Sequence, residues 1–300
     1  MFDYFSRATG SAKEWLVLLR PLDWSKNLVV IAPVFMTPIS NWAAASASIF
    51  AAFLAFCLVS SAGYIVNDLV DAEADRFHPV KRYRPLASRA IPATNASIVA
   101  VVLIVLGVGV SSLTTDRAVI FFVLAYTATS LSYSLLLKTV PVLELAAVSA
   151  GFPLRLGAGA VALTVLPSAW ALACVSSAAL LVVVTKRRME RLRLGEESHA
   201  TRAVMSFYSS ALLRWFQLFF LMCTVAVFLI FLSSDTAGHR YRTEILAFAV
   251  IPIFLAMVRF ITLADRAQTD VSTTKLLTGD WFVVASSIIT AGIFYKALTA

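Results

Sequence analysis

The chain has 300 residues and a formal net charge of +8; it is 60% hydrophobic and only 14% charged, with a mean hydropathy of +0.84. A soluble domain carries about 25% charged residues, so this composition excludes a water-soluble globular fold and makes an integral membrane protein the default. The apolar stretches do not alternate with period two, which argues against a transmembrane β-barrel.

The first 20 residues are mixed and amphipathic, with no apolar core before a small-residue cleavage site. No cleavable signal peptide is expected, and the segment is predicted to lie along the membrane surface. A helix needs about 20 apolar residues to cross the bilayer, and about nine stretches qualify. They are 24–40, 45–66, 94–113, 117–137, 140–163, 168–186, 211–233, 243–264 and 281–298. The first is the weakest, being short and broken by Pro33 and Pro38. The expected fold is all-α: a polytopic bundle of about nine transmembrane helices in one catalytic domain over 1–300, capped by polar loops at 67–93 and 186–210. Cys57, Cys174 and Cys223 all fall inside these stretches and read as small packing residues.

Lys and Arg concentrate in alternate loops. Arg20 precedes the first stretch and Lys26 opens it; Lys81, Arg82, Arg84 and Arg89 follow the second; Lys138 follows the fourth; Lys186 ends the sixth, and Arg187, Arg188, Arg191 and Arg193 follow it. The intervening loops are poor in them, so the positive-inside rule places the basic loops in the cytoplasm and the C-terminus outside. The positive charge therefore reads as a face for phosphates and anionic headgroups, not as a nucleic-acid surface.

Residues 67–75, NDLVDAEAD, are the exception in this apolar chain. A charge at a helix centre costs roughly 2.5–3.5 kcal/mol on insertion scales, so the stretch must meet water or a cation. On a helix Asp68, Asp71 and Asp75 stand at i, i+3 and i+7, and Asn67 and Asp71 at i, i+4, all sharing one face. Oxygen-only ligands at this spacing suit Mg²⁺, which binds through one or two carboxylates plus substrate phosphates. A solvated helix end paired with the following basic residues is the plainer alternative. The segment RFHPVKRYRP then sets Lys81, Arg82 and Arg84 beside the acids, equipment suited to a diphosphate. Its two X-Pro pairs predict an ordered loop.

NDLVDAEAD resembles the N-D-x-x-D-x-x-x-D motif of the UbiA superfamily of intramembrane prenyltransferases. The segments RPLDWSKN (20–27), NDLVDAEADRFHPVKRYRPLAS (67–88), YSLLLK (133–138), ELAAVSAGFPLRLGAGAVA (144–162) and KRRMERLRL (186–194) resemble more narrowly its phosphoribosyltransferase branch. The resemblance implies a UbiA-like bundle around a central cavity in the plasma membrane. It implies transfer of 5-phosphoribose from phosphoribosyl pyrophosphate (PRPP) to a polyprenyl phosphate such as decaprenyl phosphate, with Mg²⁺ on Asp68, Asp71 and Asp75. This reaction begins the supply of an arabinose donor for cell-wall arabinan. Aromatic prenyltransferases of the superfamily carry a second aspartate-rich motif after the sixth span. Here that place holds Lys186, Arg187, Arg188 and Glu190, and the resemblance turns a plain positive-inside anchor toward phosphate binding.

Other candidates have a bland reading beside the functional one. Arg155, in the fifth stretch, is a functional-site hypothesis because intramembrane arginines are expensive; snorkelling is the alternative. Glu144 could pair with Lys138. Lys26 could reach a phosphate or anchor the interface, and Tyr133 fits an interfacial belt as well as a substrate site. The rival functions are an aromatic prenyltransferase with a polyprenyl diphosphate donor, and a non-enzymatic transporter or lipid-binding membrane protein, for which the expected internal repeat is missing. A homo-oligomer stays open. Removing one carboxylate of the acidic stretch is expected to relieve like-charge repulsion and leave stability level or higher.

Overall fold

The structure, a computed structural model, describes residues 11–78, 80–194, 203–266 and 273–300. Among these residues every regular element is helical. α1 (Ala12–Leu19) opens on a capping box: the Glu14 N–H donates to the Ser11 hydroxyl at 3.4 Å, and the Ser11 N–H donates to the Glu14 carboxylate at 2.6 Å. The two bonds satisfy donors that a helix start otherwise leaves open. α1 stops where Arg20 turns left-handed at φ 52°, and its Leu18 packs against Ala62, Ile65, Leu86 and Ile91.

The remaining helices follow in chain order: α2 (Trp42–Arg76), α3 (Ala93–Ser111), α4 (Val119–Leu135), α5 (Leu143–Ala162), α6 (Ala169–Leu194), α7 (Ser210–Leu232), α8 (Asp235–Arg240), α9 (Thr243–Ala247), α10 (Val250–Arg266), α11 (Thr273–Gly279) and α12 (Trp281–Thr299). Among the described residues seven spans are long and apolar enough to cross a membrane: α2, α3, α5, α6, α7, the run of α9 with α10, and α12. α4 is apolar but has 17 residues. This is a multi-pass membrane protein. Large apolar side chains such as Ile98, Val105 and Phe121 stay exposed on the outside, where lipid can solvate them. Small residues such as Ala52, Ala55 and Ala158 lie inside, where they let helices approach.

The first expected span, 24–40, is not an α-helix. It forms 3₁₀ turns over Pro21–Val30 and Ala32–Phe35. Pro33 has no N–H to give an α-helical bond and its ring would crowd the carbonyl four residues back. The segment runs inside the bundle, with Asn27, Val30 and Pro33 buried. A Cβ on Gly159 of α5 would collide with the Val30 carbonyl oxygen, so that approach requires glycine. One end is tied at Arg20 to Asp68 of α2; the other is tied where the Tyr241 hydroxyl donates to the Met36 carbonyl at 2.8 Å. At about 2 Å per residue, the 3₁₀ geometry lets so short a segment reach between the two ends.

Two helices overrun the bilayer. α2 has 35 residues and is about 52 Å long, against about 30 Å of hydrocarbon. Its last turns carry Asn67 to Asp75 out as helix. α6 likewise continues through Lys186 to Leu194. The polar caps expected as loops at 67–93 and 186–210 thus begin as helical extensions, because nothing in either sequence breaks the helix at the membrane surface. Residues 195–202 of the second cap, and Pro79 of the first, lie outside the described residues.

Candidate active site

The extension of α2 presents its acids to three different elements. Asp68 is 3% exposed. Its two oxygens accept from Arg20 Nη2 at 2.6 and 2.8 Å, and Oδ1 also accepts from Arg84 Nη1 at 3.2 Å. That same Arg84 nitrogen donates to Asp75 Oδ2 at 2.7 Å. Lys81 stands 3.9 Å from the other Asp75 oxygen. Asp71 faces sideways, accepting from Asn67 Nδ2 at 3.1 Å and from the Lys138 ammonium. Burial alone would lower the Arg20 pKa, but the charge and hydrogen bonds of Asp68 outweigh it and hold the guanidinium above its usual value.

A second charged cluster lies at the start of α5 and the end of α6. Glu144 is wholly buried and Arg187 is 1% exposed. Arg187 Nε donates to Glu144 Oε1 and Oε2 at 2.8 and 3.0 Å, and Nη2 to Oε2 at 2.6 Å. Nη1 donates to Glu190 at 2.9 Å. Glu144 occupies the first turn of α5, where the helix dipole also favours a carboxylate.

Deeper in the bundle Arg155 is 3% exposed. Its Nε donates to Asn27 Oδ1 at 2.7 Å, Nη1 to the Gly151 carbonyl at 2.8 Å and Nη2 to the Tyr126 hydroxyl at 3.0 Å. The guanidinium lies over the rings of Tyr126, Phe152 and Phe56 at 4.4, 5.7 and 5.7 Å. Neutral acceptors and aromatic faces thus hold it, not an acid.

The structure therefore brings together Asn67, Asp68, Asp71, Asp75, Lys81, Arg84 and Lys138 in one cluster, and Glu144, Arg187 and Glu190 in another. Glu144 pairs with Arg187, not with Lys138 as the sequence suggested. The Arg187 fork meets Glu144 and Glu190 inside the protein. Tyr133 at the end of α4 lies within electrostatic reach of Arg187. Lys26 turns to Asp23 at 2.7 Å and sits 5.8 Å from the centre of the Tyr64 ring. Arg82 is exposed and turns to Tyr83, away from the acids. Lys186 is exposed at the end of α6. Two participants were missed as site residues: Arg20, which holds Asp68, and Asn27, which holds Arg155. Both lie in the RPLDWSKN segment, but their partners are 48 and 128 residues away, and no local spacing reports such a pairing.

Among the described residues no three of His, Cys, Asp and Glu gather closely enough to hold a metal ion by themselves. Mg²⁺ does not need three when substrate phosphates complete its shell. The donor set is all oxygen, and Asp68 and Asp75 already converge on one cationic nitrogen of Arg84. The residues present therefore fit a divalent cation.

Residues 28–279 match the model of the UbiA prenyltransferase family. The chain belongs to that family. The decaprenyl-phosphate phosphoribosyltransferase of Corynebacterium glutamicum is 34% identical over 268 residues, 83% of this chain and 76% of the relative. That of Mycobacterium tuberculosis is 33% identical over 252 residues, 81% of this chain and 80% of the relative. A UbiA homolog from Archaeoglobus fulgidus, solved bound to GPP and Mg²⁺, matches with a TM-score of 0.72 at 17% identity, over 96% of this chain and 100% of that one. A UbiA homolog from Aeropyrum pernix matches with a TM-score of 0.62 at 16% identity, over 90% and 98%. At these identities the solved structures speak to the UbiA fold alone. Within that fold the acidic motif read at 67–75 lies at the polar end of α2, where the ends of α4 and α6 and the start of α5 also meet.

Proposed function

We propose that the protein transfers 5-phosphoribose from PRPP to a polyprenyl phosphate, decaprenyl phosphate in the named relatives, and releases diphosphate. The reaction would be the first step toward a decaprenyl-phosphoryl-arabinose donor, run at the cytoplasmic face of the plasma membrane. The observation that carries this reading is the pair of charged clusters at one end of the bundle. One holds acids among cations, as a metal-bound diphosphate requires. The other replaces the second acidic motif of the aromatic prenyltransferases with Arg187 locked between Glu144 and Glu190.

Asp68, Asp71 and Asp75 would hold Mg²⁺, which when bound supplies positive charge to the diphosphate leaving group. Arg84 and Lys81 sit at the same carboxylates and would carry cationic donors to the diphosphate oxygens as charge grows on them. Lys138, at Asp71, would do the same from the side of α4. The ribosyl carbon would pass through an oxocarbenium-like state, as glycosyl centres do. The acceptor is a phosphate monoester whose second pKa is about 6, so it arrives largely anionic and needs no general base. Backside attack gives inversion, a β-linked product from an α-donor. The acceptor's tail would leave between helices into lipid while its head meets the soluble donor at the polar end.

Purified protein given labelled PRPP, polyprenyl phosphate and Mg²⁺ should move label into the lipid phase. Label from a prenyl diphosphate appearing on an aromatic acceptor instead would assign the chain to the other branch of the fold.

A further inference from the structure

The connection from α4 to α5 is strained, and a side chain from a distant segment bonds to it. Val142 sits at φ 66° and ψ −47°, a region that β-branched residues avoid. The Leu143 N–H donates back to the Pro141 carbonyl at 2.8 Å, closing a γ-turn of the rare positive-φ kind. The Val142 N–H, freed from any helix, donates to the Tyr208 hydroxyl at 2.7 Å. Tyr208 itself is fully buried, among Leu145, Val183, Met205 and Leu213. Burial raises its phenol above the usual value, so the hydroxyl stays neutral.

The place of this turn gives it consequence. Four residues before Val142, Lys138 pairs with Asp71 of the acidic motif. Two residues after it, Glu144 takes the Arg187 guanidinium. The turn is thus the covalent link between the two charged clusters, and its shape sets how far apart they stand. Strained backbone persists only where its surroundings over-determine it; here local backbone bonds, such as Glu144 N–H to the Val140 carbonyl at 3.1 Å, are joined by the Tyr208 hydroxyl from a segment elsewhere in the chain.

We propose that Tyr208 is a positioning residue for the donor site: it holds the Val142 turn and so fixes the separation of the Lys138–Asp71 end from the Glu144–Arg187 end. This rests on the reading that the donor is PRPP, which carries anionic groups at both ends and would feel that separation. The lipid acceptor, with one anionic group, would feel it much less.

The test is steady-state kinetics of Tyr208→Phe, which keeps the ring and removes the acceptor. The KM for PRPP should rise about tenfold, the scale of one lost buried hydrogen bond, while the KM for polyprenyl phosphate moves by less than about twofold. Adding Val142→Gly in the Tyr208→Phe background should restore most of the donor KM, because glycine takes a positive φ without a clamp. An unchanged donor KM in Tyr208→Phe overturns the proposal. So does an equal rise in both KM values, or a double variant no better than Tyr208→Phe, since a merely structural tyrosine behaves that way. If Tyr208→Phe does not fold, Val142→Gly alone decides the strained turn: its Tm should rise by a few degrees, and a fall overturns the claim. A wild type that never consumes PRPP defeats the proposed reaction instead, and the same Tm measurement still judges the turn.

Discussion

Arg20 holds Asp68 through a single nitrogen, with Nη2 lying 2.6 Å from one carboxylate oxygen and 2.8 Å from the other. The pair joins the start of the 3₁₀ segment to the polar end of α2, 48 residues on. It also changes what the acidic motif means for stability. Like charges at i, i+3 and i+7 repel when alone. Here each of the three aspartates is paired: Arg20 and Arg84 with Asp68, Lys138 with Asp71, and the shared Arg84 with Lys81 at Asp75.

Asp68→Ala should therefore abolish turnover and also destabilise the fold, by about 1–3 kcal/mol, because it strips two guanidiniums of a buried partner. This reverses the sequence-based expectation that removing a carboxylate relieves repulsion. Asp71→Ala should abolish turnover too, but its pair with Lys138 is partly exposed, 30% against 20%, and its loss should change stability by about 1 kcal/mol or less. Thermal melts beside turnover check both, and near-normal turnover in either variant contradicts a role for these acids in the reaction.

Chelation should stop the reaction and added Mg²⁺ should restore it. Mn²⁺ should substitute at least in part, since the donors are all oxygen. Full turnover in excess chelator would mean that the cations seen on Asp68 and Asp75 are all those acids serve.

Arg187→Lys keeps the positive charge that orients the chain but loses the fork that meets Glu144 twice. Because the pair is fully buried, the variant should lose about 2–3 kcal/mol of stability and most of its turnover, with topology unchanged by reporter tags. Glu190→Gln, at the exposed side of the same guanidinium, should fold normally and show a milder kinetic change. Wild-type kinetics and stability in both would return the end of α6 to a simple membrane anchor.

Arg155→Lys should lower turnover at least tenfold while the protein still inserts and folds, because an ammonium cannot reach Asn27, Gly151 and Tyr126 together. Arg155→Met with full turnover, measured in the same lipid, would reduce this arginine to a packing feature.

The membrane class, the location of most spans and the acidic cluster were all legible in the sequence, because hydropathy and i, i+3, i+7 spacing are local signals. The span at 24–40 was legible as apolar but not as 3₁₀, since that geometry depends on Pro33 together with the close approach of Val30 to Gly159. The pairing of Glu144 was misread because Lys138 is near in sequence, whereas Arg187 reaches it only through the packing of α5 on α6. Tyr208 gave no signal at all. Its role depends on a positive φ at Val142, and nothing in a valine announces one.

The most direct measurement is the fate of label from PRPP. Protein, polyprenyl phosphate, Mg²⁺ and PRPP labelled in the ribose should yield labelled lipid and an equal amount of free diphosphate, and no labelled lipid when Asp71→Ala replaces the wild type. Label remaining in the aqueous phase with folded, lipid-reconstituted wild-type protein would contradict the account.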